Sequence, residues 1–589
     1  MRAHVGFVGF EPRNLREAKR HPSWPLWKEA ILSEHQGLRD HELYDMVPRS
    51  QVPVGAQILS SMYTFKDKLD KAKARLVVHG HRQRHKPSAV DKYAATPSLT
   101  SFRILVATAT QNDAEIDHLD VSQAFTQSAA FTEDEHVYVA PPEFSGTPSD
   151  YVWRLRRPLY GLICAPSRWY QTLSAYFVTD GWQQLHGEAC LYSKTTASGS
   201  LMLASFYVDD VLLSYHRSDA AEAHAFTTRF RARFRSTALG PLQHYLGIDV
   251  FRDREAGTTT LSQEQSILDL LERHGMSPDK VNPADTPLSP GCHLTREDCP
   301  VVPDKIMGSA YREIVGSMLW FAGATRPDIS HAAQALSRFT SNPGDAHWRE
   351  VKRSLRYLSG TTALGLTYTR SDSTTLHPHR LYGFCDSDWG SDLDTRRSVG
   401  AFVLFMPAGP VAWRSKMQPT VALSTAEAEF MAASSTANEV VWLRRLLESM
   451  GLQQRGPTPL YEDNQACIMI SEHPTAYRGR ARHIDMKVFS LKEHVAKAEV
   501  KLVACPTHDM TADCLTKALP APAFQRHRAV LMGHTHHTAP ATVAFFAALL
   551  ALSNANSAPV SQVLNSGGVR AYHDHKSALA QYRAYGLRT

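Results

Sequence analysis

The sequence predicts a multidomain α+β chain: a module of strands and helices, a helical stretch, and a second module of α/β type. Three observations carry this expectation. The 589 residues are too many for one hydrophobic core, and typical domain sizes divide them into three or four. Strand-like runs around Ala74–Val78 and Leu201–Leu213 give way to helical patterns within residues 306 to 370, and strand patterning returns from Leu381. A proline-rich stretch of little periodicity, Asp279 to Lys305, reads as the linker after the first module.

Composition bounds the function without deciding it. A formal charge of +6 with 29 histidines suits a polyanionic partner and does not require one. The eight cysteines contain no C-x-x-C pair, so neither a disulfide framework nor a zinc knuckle is expected. Cys505, His508 and Cys514 lie close together in the sequence, in a spacing that matches no standard zinc site. No signal peptide opens the chain and no stretch approaches about 18 apolar residues, so a soluble intracellular protein is expected.

Taken in order, a helix is expected to open near Trp24 and Pro25 with Trp27, Ala30 and Ile31 on one face. The basic run Lys66–Arg84 holds strand character at Ala74–Val78; it reads as a solvated face or as a groove for a phosphate backbone. In E-I-D-H-L-D-V-S-Q-A-F, Asp120 ends a strand-like stretch that a helix-compatible segment follows. Leu201–Leu213 reads L-M-L-A-S-F-Y-V-D-D-V-L-L, two apolar strands of a hairpin with Asp209 and Asp210 at or beside the turn. Aspartate is common in turns, and two anions among apolar strands also suit a bound divalent cation. With Asp120 the pair makes three acids at strand ends, enough to hold two metals about 4 Å apart for in-line phosphoryl transfer.

Farther along, Leu261–Met276 carries a short amphipathic helix with Ile267, Leu268 and Leu271 on one face and Gly275 past its end. Two helical patterns follow the linker, broken at Thr325–Asp328 and Ser341–Asp345; Lys352, Arg353 and Arg356 form a basic face for nucleic acid or for solvent. A second series of acids then appears: Asp386 in a strand, Glu427 and Glu429 at a helix start, Asp463 in P-L-Y-E-D-N-Q-A, and His508 with Asp513 in P-T-H-D-M-T-A-D. Glu427 lies about 200° around the helix from Glu429, so the two face apart.

The Y-V-D-D sequence, the upstream D-x-x-x-A-F and R-P-L-Y-G-L-I-C-A-P-S-R-W-Y between them (Arg157–Tyr170) resemble the copia-type long-terminal-repeat retrotransposon polyprotein. That resemblance runs over roughly residues 10 to 519. It implies an α+β right-hand polymerase of fingers, palm and thumb over 1–285, a helical connection over 286–375, an α/β ribonuclease H-like domain over 376–519, and an unassigned tail over 520–589. It implies polymerase acids Asp120, Asp209 and Asp210, and nuclease acids Asp386, Glu429, Asp463 and Asp513, with His508 assisting product release or proton transfer.

Lys73 and Arg75 become contacts for the nucleotide phosphates or template, Phe125 a ring beside the incoming sugar that excludes a 2′-hydroxyl, and Tyr160 and Gly161 part of the template and nucleotide site. Gly240–Val250 resembles the hairpin that grips the primer end, and Arg480–Lys487 a basic segment near the hybrid backbone. Ile163 and Cys164 depart from the Lys-Gln pair usual in the family. Two Mg2+ per active site, with Mn2+ as a substitute, are implied. So are an RNA template, a DNA or tRNA-like primer, RNA:DNA hybrid and deoxynucleoside triphosphates as partners, with no membrane. The location implied is the cytoplasm, within a virus-like particle for an active element, or the nucleus. The protease and integrase parts of a full polyprotein are not expected in the chain. The other reading is an inactive or domesticated remnant that binds RNA or hybrid; a cellular nuclease using only the C-terminal site would leave residues 10 to 285 unexplained.

Overall fold

The first apolar stripe in the chain builds the first layer. In the computed structural model, which describes residues 11–68, 71–84, 86, 88, 92–371, 379–472 and 490–535, a helix spans Trp24–Asp40 and buries Trp27, Ala30, Ile31 and Leu38. It packs on a hairpin of Ser61–Lys68 and Lys71–Val78. Ala72, Ala74, Leu76 and Val78 point inward in strict alternation, which leaves Lys73 and Arg75 on the other face. A four-stranded sheet lies beside this layer, joining Tyr44–Pro48, Tyr151–Leu155, Tyr138–Val139 and Ile58–Leu59.

The second layer is a six-stranded antiparallel sheet. Its order is Ser236–Pro241, Glu115–Val121, Asp210–Tyr215, Leu201–Tyr207, Leu191–Thr195, Gln183–Gln184. One face carries Ala204, Phe206, Val211 and Leu213 against Phe177, Phe226 and Phe230 from the helices Ala165–Thr179 and Ala220–Arg233. The other face carries Leu203 and Leu212 against the helix Leu99–Gln111. That helix is buried at every position from Ser101 to Gln111, its polar side chains included.

Beyond this six-stranded sheet, His244–Tyr245, Ile248–Asp253 and Thr258–Ser262 form a further sheet whose fourth strand, Leu366–Thr369, comes from beyond the helical region. Strand pairing thus crosses the boundary that sequence placed at 285. The helix Glu264–Arg273 buries Ile267, Leu270 and Leu271; Leu270 takes the place expected of Leu268, which is half-buried. The helical region comprises Lys305–Ala324, Ser330–Ser337 and Asp345–Ser359. Breaks fall at Thr325–Ile329 and around Ser341–Gly344, where sequence placed them. The first break holds a fully buried Arg326–Asp328 ion pair at 2.8 Å, with the Tyr357 hydroxyl donating to Asp328 at 2.6 Å.

The last layer is a five-stranded mixed sheet of order Gly409–Met417, Val399–Met406, Tyr382–Asp388, Thr458–Glu462, Val500–Ala504. The first three strands are antiparallel and the last two join in parallel. The helix Thr425–Ser449 covers it. A terminal helix, Ala521–Leu531, buries Phe524 and sets it edge-on against Tyr357 at 5.6 Å, and the Thr367 amide donates to the Met532 carbonyl at 2.9 Å. The folded unit therefore runs to His534, past the 519 limit expected from sequence, because this helix has an apolar face that the helical region covers. The histidine-rich and apolar stretches of the tail, from residue 536, and Arg480–Lys487 lie outside the described residues. No helix among the described residues is long and apolar enough to cross a membrane.

One side chain ties these layers together. The buried Arg103 donates from Nε to the Val411 carbonyl at 2.8 Å and from Nη1 to the Gly323 and Ala324 carbonyls at 2.7 and 3.2 Å. Its guanidinium lies 3.9 Å from the Trp413 ring centre, and the Trp413 indole donates to the Ala322 carbonyl at 2.7 Å. Together they satisfy carbonyls at the C-terminus of Lys305–Ala324, where a cation is favoured. Arg103→Met strands those acceptors in the core and is expected to lower stability by roughly 3 kcal/mol. Urea unfolding read at both ends of the chain measures it; an unchanged midpoint would show that the contact ties nothing together.

Candidate active sites

The first candidate site forms where two central strands meet. Asp210 opens its strand directly opposite Asp120 on the neighbouring one. Asp209 sits in the turn after Val208, whose φ of 54° is left-handed. The turn is held from both sides: Trp169 Nε1 donates to the Val208 carbonyl, and the Val121 amide donates to the Asp209 carbonyl at 2.7 Å. Burial raises the Asp209 pKa above its ordinary value, and the charges of Asp210 and Asp120 add to this against Arg75.

Around these acids the predicted binding residues assemble. Arg75 Nη2 is 3.9 Å from Asp209 Oδ2, and its guanidinium stands 5.1 Å from the Tyr160 ring centre. Phe125 also packs against Tyr160, 5.1 Å from ring centre to ring centre. Phe125 lies in a 3-10 turn, Ala124–Gln127, where a helix was expected; the extended backbone of Ser128 ends it after one turn. Gly161 has φ 89°, and a Cβ there would lie 2.1 Å from the Val78 carbonyl oxygen. The Val78 amide also donates to the Tyr160 carbonyl at 2.7 Å, so the Tyr160–Gly161 segment is docked on the strand that carries Arg75. Lys73 is exposed on the same face of that strand.

Two neighbours escaped the sequence reading. His118 Nε2 and Asp210 Oδ1 share a 2.7 Å hydrogen bond. The i, i+2 spacing to Asp120, which puts both on one face of a strand, was the available signal. Glu34, buried on the otherwise apolar stripe of the first helix, accepts from the Leu76 amide at 3.1 Å and from Gln123 Nε2 at 2.8 Å.

The second candidate site lies at one end of the mixed sheet. Asp386, Glu429 and Asp463 bring ligand atoms within 4.8 Å of one another, the one such group among the described residues. The acids of the first candidate site are more open, with Asp210 turned to His118. Asp386 is 1% exposed on its strand, Glu429 is in the first turns of the long helix, and Asp463 follows the strand Thr458–Glu462. Burial, then the charges of Asp386, Glu462 and Asp463, push Glu429 far above the carboxylate range. Burial also raises Asp386, against the pull of Lys517. Glu429 Oε2 has no hydrogen-bond partner in its buried position. Hard anionic oxygens that repel one another, one of them unpartnered, fit a divalent cation.

Glu427 is elsewhere: it accepts from the Leu423 amide at 2.9 Å while Ser424 caps the Glu427 amide at 3.2 Å, a capping arrangement. Asp513, in the 3-10 turn Thr511–Leu515, is paired with Lys517 at 2.7 Å and stands outside the three-acid group. The His508 ring is exposed and pairs with Asp509 at 3.2 Å. Cys505 and Cys514 donate to backbone carbonyls. Glu462, fully buried beside Asp463 in the same E-D-N-Q sequence, accepts from the Asn464 amide at 3.1 Å and was missed.

The basic face of the helix Asp345–Ser359 is largely spent on the linker. Arg353 donates to Thr286 Oγ1 at 2.8 Å and Arg356 to the Asn282 carbonyl at 2.6 Å, so neither is presented as a free phosphate contact. Lys352 remains exposed, over the Trp348 ring at 5.8 Å.

Comparison with known proteins follows the same division. The reverse transcriptase (RNA-dependent DNA polymerase) family model matches residues 41–290. The retrovirus-related Pol polyprotein from transposon TNT 1-94 of Nicotiana tabacum is 32% identical over 537 residues, 89% of this chain and 39% of that protein. That from transposon RE2 of Arabidopsis thaliana is 32% identical over 521 residues, 87% of this chain and 34% of that protein. A transposon Ty5-1 protein of Saccharomyces cerevisiae is 32% identical over its whole length, which is 55% of this chain. The chain thus spans 34 to 39% of the length of the Pol polyproteins it matches.

Proposed function

Because the chain belongs to the family of copia-type retrotransposon Pol polyproteins, we propose that it is an RNA-directed DNA polymerase with a second, ribonuclease H site. The observation that carries the polymerase reading is the junction of Asp120, Asp210 and the Asp209 turn in the antiparallel sheet, with Arg75, Tyr160 and Phe125 gathered over it. The nuclease reading is supported by acids on the first strand, the long helix and the end of the fourth strand of the mixed sheet.

Magnesium, when bound by these carboxylates, supplies Lewis-acid stabilisation of the phosphoryl oxygens and of the attacking oxygen. The side chains do the rest. Arg75, stacked on Tyr160, orients the triphosphate of the incoming deoxynucleotide. The primer 3′-oxygen attacks the α-phosphate and pyrophosphate leaves. Gly161 lets the backbone approach template and nucleotide, and His118 fixes the Asp210 carboxylate. At the second site a water cleaves the RNA strand of the hybrid. The test pairs extension of oligo-dT on poly-rA with release of label from an RNA:DNA hybrid. Loss of both in a folded protein would favour a binding remnant.

Phe125 decides sugar selectivity in this reading. Its ring is positioned by Tyr160, so Phe125→Val opens space without disturbing the acids. Ribonucleotide incorporation is expected to rise about tenfold, worth roughly 1.4 kcal/mol of discrimination. Unchanged selectivity in single-nucleotide insertion assays would reduce Phe125 to a packing residue.

A further inference from the structure

Lys517 is the unassigned charge in the nuclease site. Its Nζ lies 2.7 Å from Asp513 Oδ1 and 3.5 Å from Asp386 Oδ2, so one ammonium bridges two acids that the family resemblance makes metal ligands. The placement is built by local backbone. The Thr516 and Lys517 amides both donate to the Asp513 carbonyl, at 3.1 and 2.9 Å, which folds Lys517 back beside the Asp513 side chain. Thr516 Oγ1 donates to Asp386 Oδ2, the same oxygen that faces Lys517.

The stem of Lys517 is confined as well. It lines a cavity with Leu288, Leu294, His331 and Asp388, walled by the linker and the helical region. The two ion pairs place a cation against Asp386 and Asp513. Glu429 and Asp463 converge on Asp386, while Asp513, a hydrogen-bond partner of Asp386, stands outside that three-acid group.

We propose that the Lys517 ammonium stands in for one of two cations, so that this site takes a single divalent ion between Asp386, Glu429 and Asp463. Asp513 is then the anchor of Lys517. A second divalent ion near Asp513 meets the positive charge of Lys517 and finds Asp513 Oδ1 and Asp386 Oδ2 already engaged. The inference rests on the nuclease reading of the three acids, and it names the cation count of that site.

The test counts Mn2+ bound per full chain by electron paramagnetic resonance of the free ion. With n ions on the wild-type chain, Glu429→Gln is expected to bind n − 1, Lys517→Met n + 1, and Asp513→Asn n. Lys517→Arg, which keeps the charge, is expected to stay at n. If Glu429→Gln leaves the count at n, the three acids hold no ion and the nuclease reading itself fails. If Glu429→Gln removes one ion but Lys517→Met adds none, or if Asp513→Asn removes one, the acids hold metal and the role given to Lys517 is overturned. Should Lys517→Met not fold, Lys517→Gln removes the charge with the same expected gain, and the Asp513→Asn count decides independently.

Discussion

Asp209→Asn is expected to lower primer extension on the order of 10³-fold, roughly 4 kcal/mol of transition-state stabilisation, while binding of template-primer is retained. The substitution keeps the shape of the side chain and removes one negative oxygen. Its backbone role survives, since the Val121 amide bonds the Asp209 carbonyl and Trp169 bonds that of Val208. Burial and the charges of Asp210 and Asp120 disfavour the ionised Asp209, so the neutral amide relieves a repulsion in the protein without cation. Thermal stability without cation should stay level or rise as activity disappears, the pattern expected where charge is kept for chemistry at the expense of the fold. Circular dichroism melting and single-nucleotide extension on the same preparation make the comparison. Extension near the wild-type rate would mean that the Asp209 turn holds no reacting centre. A fall in melting temperature to match the fall in rate would mean that the acid is structural.

The aspartate hairpin was legible because continuous apolar runs flank the acids on both sides, and local pattern suffices to place strands and turn. The basic strand was legible from a different pattern: alternation from Ala72 to Val78 puts Lys73 and Arg75 on the exposed face whatever the strand pairs with. Features that depend on distant partners were not legible. Prolines mark Asp279–Lys305 as irregular, but pattern cannot show that Thr286 and Leu288 are buried or that Glu350 accepts from both the amide and the hydroxyl of Ser289. The linker is consequently a packed wall, and arginines of the face read as serving nucleic acid or solvent are what hold it.

Charge compensation was the other blind spot. Lys517 stands four residues after Asp513, a spacing that pairs them on a turn of helix, but nothing local shows that the same ammonium also reaches Asp386. Arg103 shows the same. Leu99–Gln111 is buried although it carries Ser101, Arg103, Thr108, Thr110 and Gln111, and its arginine is accommodated there by bonds to another layer that local pattern cannot show. Domain boundaries drawn from motif limits failed where strand pairing ignores sequence order, as at Leu366–Thr369, or where a short amphipathic helix closes the fold beyond the last motif.

Glu429→Gln is expected to abolish hybrid cleavage, again on the order of 10³-fold, and to leave primer extension within about twofold. The argument starts from what the two sites share. The helix Leu99–Gln111 and the Arg103 contacts join both sheets into one core, so a substitution that unfolds either layer disables both activities. Glu429 is not of that kind. Its Oε2 makes no bond that the fold relies on, and burial with the charges of Asp386, Glu462 and Asp463 keeps its proton on in the absence of a cation. The amide is the isostere of that neutral form, so melting without cation is expected to be unchanged. What the variant loses is the anionic form, and with it the rise in melting temperature that a divalent ion confers by binding the folded state alone. The polymerase acids come from other strands and contribute no ligand here, so extension retains its own charges. Melting with and without Mg2+, extension and cleavage, all on one preparation, separate the possibilities. Loss of extension equal to that of cleavage in a protein that still melts normally would show that the two sites do not act independently, and the assignment of separate acid sets would fall with it.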